Sequence, residues 1–174
     1  MDRDILKTLK AEHDELRELF KKMDKTTERS DKGRRELLEK IKDGLLPHSV
    51  WEEQVFYPAF KQRADRDGLQ AHAEAIEEHR AVELRVLPDL DATEPTTTQF
   101  SGRANVLAEF VKHHASEEED TMFKMARKMF TAQERADMDV RYEQWKKSPA
   151  KIKSVKAALE KAKTAVAANP PPAS

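Results

Sequence analysis

Apolar residues recur every three or four positions along most of the chain, the spacing of one face of an α-helix rather than the alternation of a strand. In the first segment, about residues 2–26, the stripe is Leu6, Leu9, Leu16, Phe20 and Met23. A second begins after Ser30-Asp31-Lys32-Gly33 and runs to about residue 63 on Leu38, Ile41, Leu45, Phe56 and Ala59. A third, about 69–91, carries Ile76, Val86 and Leu90. Pro95 and three threonines break the pattern before a fourth, about 100–129, with Ala104, Leu107, Val111, Met122, Met125 and Met129. Connections this short join antiparallel neighbours, so the pattern predicts an all-α, up-down-up-down antiparallel four-helix bundle over residues 1–130.

Two features modify that picture. Pro47 and Pro58 in the second segment, and Pro88 in the third, each remove a backbone donor and predict a local kink or interruption. Thr131-Ala132-Gln133-Glu134 reads as a capping box that opens a C-terminal helical extension over residues 131–168. Its last part is rich in lysine and alanine, with Ile152, Val155, Leu159, Ala162 and Val166 as an apolar stripe. That stripe would pack on the bundle, meet a second subunit, touch an acidic partner, or stay loosely attached. Residues 169–174, Asn-Pro-Pro-Pro-Ala-Ser, are expected to be a disordered tail.

Composition narrows the class. Only 4 glycines argue against an all-β fold rich in tight turns. Lysine plus arginine number 32 against 33 acids, so the basic excess of a nucleic-acid binder is missing. The lack of cysteine excludes disulfides, iron–sulfur clusters and thiolate metal sites. The first residues are charged without an apolar run, and no stretch approaches the roughly 20 apolar residues of a membrane span. A cytoplasmic protein with no membrane and no nucleic-acid partner is the expectation.

Each predicted helix has polar residues on its apolar stripe. His13 lies between Leu9 and Leu16. His48 and Glu52 continue the series Ile41, Leu45 toward Phe56. His79 follows Ile76 by three, and His114 and Glu118 fall between Val111 and Met122. Residues four apart share a helix face, so each His-x-x-x-Glu presents an imidazole and a carboxylate side by side. The spacing also repeats: His13 to His79, His48 to His114 and Glu52 to Glu118 are all 66 residues. Local context repeats with it, Glu12-His13 matching Glu78-His79 and Glu52-Glu53 matching Glu118-Glu119. Two similar helix hairpins, packed together, would bring the six side chains to one level.

Such a set is a poor apolar core. A buried ionised carboxylate costs several kcal/mol unless it is paired or bound to metal. Among the basic residues only Arg17 is near the right phase, and one cation cannot neutralise the group. A pair of divalent metals would. Imidazole and carboxylate without thiolate suit iron, with manganese or zinc as the alternatives. If both carboxylates bridge, each metal has two imidazoles, and positions stay open for a small molecule. Glu83 is in phase with His79 as an additional ligand or a partner holding an imidazole. His72, seven residues before His79, and Tyr57 are candidate pocket residues. His113 points off the stripe toward solvent.

The pattern His13, His48-x-x-x-Glu52, His79, His114-x-x-x-Glu118 resembles the hemerythrin-like, or HHE cation-binding, family. The resemblance implies a four-helix bundle around a non-heme di-iron centre, oxo- or hydroxo-bridged, with the four histidines as terminal ligands and Glu52 and Glu118 as bridges. It departs from the oxygen carriers of that family, which have His-x-x-x-His on the third helix and aspartate five residues after the fourth-helix histidine. Here those places hold Glu83 and Glu119. The resemblance therefore points to bacterial members linked to oxygen, nitric oxide, iron and stress response. Binding or sensing of a small diatomic ligand is the first expectation. An oxidoreductase acting on peroxide or nitric oxide, or an iron donor for iron–sulfur repair, is the second.

Overall fold

The computed structural model describes residues 3–168, and every regular element among them is helical. Helix α1 spans Ile5–Asp24, with the Leu6 N–H donating to the Asp4 carboxylate at its start. Helix α2, Asp31–Trp51, passes through a π-helical turn at Glu52–Phe56 into α3, Tyr57–Lys61. Helix α4, Arg66–Ala81, does the same through Val82–Val86 into α5, Leu87–Asp91. Helix α6, Thr98–Glu117, passes through Glu118–Met122 into α7, Phe123–Met129. Helices α8, Ala132–Lys146, and α9, Pro149–Ala168, complete the order. The capping box at Thr131 and Glu134 is formed.

The prolines act more selectively than their chemistry alone predicts. Pro58 and Pro88 each follow a π turn, in which the N–H of Tyr57 bonds the carbonyl of Glu52 and that of Leu87 bonds Val82. A proline has no N–H and crowds the carbonyl four residues back, and the wider turn relieves both faults. The third π turn is followed by Lys124 instead, so proline is not its cause. At Pro47 the expected interruption is absent: α2 stays α-helical on both sides. A π turn also changes phase, aligning residues five apart. Tyr57 is thereby placed over Glu52, and Phe123 over Glu118.

The stripes meet in two apolar clusters. One gathers Leu16, Phe20, Leu38, Ile41, Leu90, Phe100 and Leu107. The other gathers Ile5, Leu9, Phe56, Phe60, Phe123 and Phe130. Helix α1 packs against α2 and α6, and α6 also packs against α4 and α5. Leu9 and Leu16 belong to different clusters, so His13 between them marks a polar level through the middle of the core. Buried Arg34 ties the α1–α2 and α5–α6 loops, donating to Thr26 Oγ1, Ser101 Oγ and the Pro95 carbonyl.

The C-terminal helices lie on this core. Helix α8 packs along α1, with Thr8 donating to Asp139 and Arg135 to Asp4. Helix α9 lies against α2 and the Val82–Val86 turn, seating Val155 and Leu159 on the first cluster. Ile152 does not belong to that stripe: it is 57% exposed. The side chains of Ala162 and Val166, and the expected tail at 169–174, lie outside what is described. No helix of the described residues is long and apolar enough to cross a membrane.

Candidate metal centre

At the polar level, donor atoms of His13, His48, Glu52 and Glu118 lie within 4.8 Å of one another, as do those of Glu52, His79 and His114. Glu52 belongs to both groups. Its Oε1 is 3.0 Å from His48 Nε2 and its Oε2 is 3.5 Å from His79 Nε2, one oxygen toward each. Glu118 Oε2 lies 3.3 Å from His13 Nε2 and 3.7 Å from His114 Nε2. The two histidine pairs face each other through Nε2, at 3.0 Å for His13 and His48 and 3.1 Å for His79 and His114. Each ring comes from an α-helix and each carboxylate from the first residue of a π turn.

The outward nitrogens are all held by carboxylates. His48 Nδ1 meets Glu12 at 2.8 Å and His114 Nδ1 meets Glu78 at 2.7 Å. His13 Nδ1 meets Glu119 at 3.0 Å and His79 Nδ1 meets Glu53 at 3.2 Å. A carboxylate accepts, so each Nδ1 carries a proton and each Nε2 is turned inward. Burial lowers His13 and His79, whereas the neighbouring carboxylates outweigh burial and raise His48, to about 10, and His114. Without metal, each Nε2 pair therefore shares a proton. The sequence alone marked Glu119 as a departure from the oxygen carriers and assigned none of these four glutamates the role of holding an imidazole. Their signal was the repeat itself, which carries Glu12 onto Glu78 and Glu53 onto Glu119 alongside the histidines.

This arrangement fits a cation and little else. Glu52 is 0% exposed and neither of its oxygens accepts a hydrogen bond, and Glu118 Oε2 is likewise without one. Orphaned buried carboxylate oxygens are costly. Burial and the charge of Glu118 push Glu52 up to about 7. Burial also opposes charge on Glu118, but His114, His13 and His48 outweigh it and hold that carboxyl well below its usual range. Burial and neighbouring His114 push His79 down to about 4. Paired Nε2 atoms, with two carboxylates beside them, form a set of donors pointed at shared centres of positive charge.

The lesser candidates separate. Tyr57 is part of the centre, its O–H donating to Glu118 Oε1 at 2.8 Å with His79 Nε2 at 3.4 Å and His114 Nε2 at 3.5 Å. Glu83 falls outside both donor groups and accepts from Ser49 Oγ at 2.8 Å; burial raises its carboxyl above the ordinary range. The two residues border a cavity of about 20 Å³ with the four histidines, Leu16, Leu45, Val82 and Val111. His72 sets its ring edge on Tyr57, centroids 5.8 Å apart. His113 is exposed and pairs with Glu78 at 3.3 Å.

The helical fold and this His/Glu cluster define a metal-binding helical protein. The family model of the hemerythrin HHE cation-binding domain matches residues 4–126, and the chain belongs to that family. No curated protein and no solved structure matches it. The matched segment ends before α8 begins.

Proposed function

We propose that this chain is a non-heme di-iron protein whose four main helical segments form an up-down-up-down antiparallel bundle over residues 1–130, extended by α8 and α9. One metal would be held by His13, His48, Glu52 and Glu118, the other by His79, His114 and Glu52, with Tyr57 beside it. The observation that carries this reading is the trio of unbonded oxygens on Glu52 and Glu118, facing the inward nitrogens of imidazoles that four further carboxylates hold from behind.

Bound iron would supply Lewis acidity and one-electron chemistry at this level. The chain's own residues prepare the space around it. Leu16, Leu45, Val82 and Val111 keep bulk water out, and the cavity of about 20 Å³ has room for one water-sized or diatomic molecule. The ligand is accordingly dioxygen or nitric oxide, bound or sensed in a stress response in the cytoplasm. A second reading, turnover of peroxide or nitric oxide, is favoured by a proton-bearing group at the centre and a carboxyl at the cavity. Tyr57 keeps its proton beside Glu118, and burial raises the Glu83 carboxyl above its ordinary range at the cavity wall.

Metal analysis of protein from iron-supplemented cells, with an optical spectrum in air, tests the site. About two irons per chain with near-ultraviolet oxo-bridge bands, lost in His48→Ala and Glu118→Ala, is the expected result. Fully folded protein that takes up no metal would end this reading. Steady consumption of peroxide or nitric oxide by the loaded protein would select the enzyme over the binder.

A further inference from the structure

The outer carboxylates follow the 66-residue repeat, but their own partners do not. Glu12, which holds His48, also accepts Tyr142 Oη at 2.8 Å and Lys146 Nζ at 2.8 Å. Both donors come from α8, beyond the segment the family model matches. Glu119, which holds His13, pairs with Arg17 at 2.8 Å and Lys10 at 3.5 Å. The equivalents on the other half are poorer in charge. Glu78 meets His113 besides His114, and Glu53 meets His79; among the described residues neither is bridged by a lysine or an arginine. Tyr142 is itself buried, stacked on Trp51 at 5.1 Å, so its hydroxyl is held on Glu12.

A carboxylate behind an imidazole raises its donor strength, and a cation on that carboxylate takes part of the effect away. The cations on Glu12 and Glu119 therefore weaken the donors behind His48 and His13, whereas no lysine or arginine among the described residues acts so behind His79 and His114. We propose that α8 is part of the metal centre, with Tyr142 and Lys146 as positioning residues that hold and neutralise Glu12 and through it set the donor strength of His48 at the His13/His48 position. This inference rests on the di-iron reading above.

The test is stepwise reduction of the iron-loaded full chain with dithionite, followed by potentiometry and Mössbauer spectra, for the natural protein, Lys146→Met, Tyr142→Phe and Lys146→Arg. Lys146→Met and Tyr142→Phe should lower one midpoint, that of the iron held by His13 and His48, and leave the other in place. A tenfold change in the ratio of oxidised- to reduced-state binding corresponds to 59 mV for one electron. Lys146→Arg, which keeps the charge, should behave as the natural protein, and a purely structural role for α8 would not give that rescue. Equal movement of both steps, or of neither, overturns the proposal. A metal-free readout separates it from the functional reading. In ¹⁵N spectra, Tyr142→Phe and Lys146→Met should shift the His48 ring signals and spare those of His114. Unmoved His48 signals refute control by α8 even if two irons bind, whereas failure to bind iron alongside a His48 shift refutes the di-iron reading alone.

Discussion

His13 and His48 place their Nε2 atoms 3.0 Å apart while Glu119 and Glu12 hold the opposite nitrogen of each ring. With both Nδ1 atoms held from behind, the two Nε2 atoms share one proton in a core where water cannot separate them. The same relationship recurs between His79 and His114 at 3.1 Å. A metal cation that displaces such a proton is coordinated by both rings, so metal occupancy and fold stability must be linked.

Removing metal should therefore lower the melting temperature. Ligand at 100 times its dissociation constant stabilises by about 2.7 kcal/mol. For a chain of this size, that corresponds to roughly 5–10 °C. Calorimetry of iron- or zinc-loaded protein before and after chelation measures it, and an unchanged melt would dissociate the cluster from metal binding.

Glu52→Gln should move stability and binding in opposite directions. The substitution removes a fully buried charge whose oxygens lack donors, so the metal-free protein should gain about 1–3 kcal/mol. Metal content should fall below one ion per two sites, because Glu52 serves both donor groups. Urea unfolding of the metal-free pair and metal analysis of the loaded pair read the two effects separately.

Acid should loosen α8 through Glu12. Burial opposes ionisation of this carboxyl, but His48, Lys146 and Tyr142 outweigh it and bring it to about 2 from an ordinary 4.5. A depressed carboxyl contributes stability that is complete above pH 4.5 and disappears as pH falls through about 2. Metal-free natural protein should lose stability across that window more steeply than Glu12→Gln, as judged by thermal melts at successive pH values. Parallel curves would show that Glu12 is not the group responsible.

Arg34→Met should cost about 2–4 kcal/mol, because it strips the buried hydrogen bonds to Thr26, Ser101 and Pro95 that join two loops. The lower urea midpoint should leave metal stoichiometry unchanged, since Arg34 belongs to the apolar end away from the cluster.

Gly102→Ala should stabilise by about 0.5–1 kcal/mol. Gly102 lies inside α6, and an added Cβ would meet nothing within 4 Å. A chemical denaturation curve decides its sign.

Much of the candidate site was legible in the chain because a helix converts spacing into direction. Histidines and glutamates in phase with Leu9, Leu16, Ile41, Leu45, Val111 and Met122 had to face the interior once those stripes were buried, and the 66-residue repeat tied the hairpins together. Tyr57 was harder to place. Counted at 3.6 residues per turn it drifts off the stripe, and only the π turn at Glu52–Phe56 returns it to Glu52 and Glu118. No local residue announces that turn at Glu118–Met122, where no proline follows.

What the sequence determined by itself was the helical periodicity, the positions of the six inward donors and the family they signal, because each depends on neighbours within a turn or two. Tertiary structure alone decided which carboxylate holds which imidazole. Glu12 reaches His48 and Glu119 reaches His13 across helix interfaces, and Tyr142 and Lys146 reach Glu12 from 130 and 134 residues away. Such contacts follow from how rigid helices pack side by side, a relation between distant segments that no local spacing encodes.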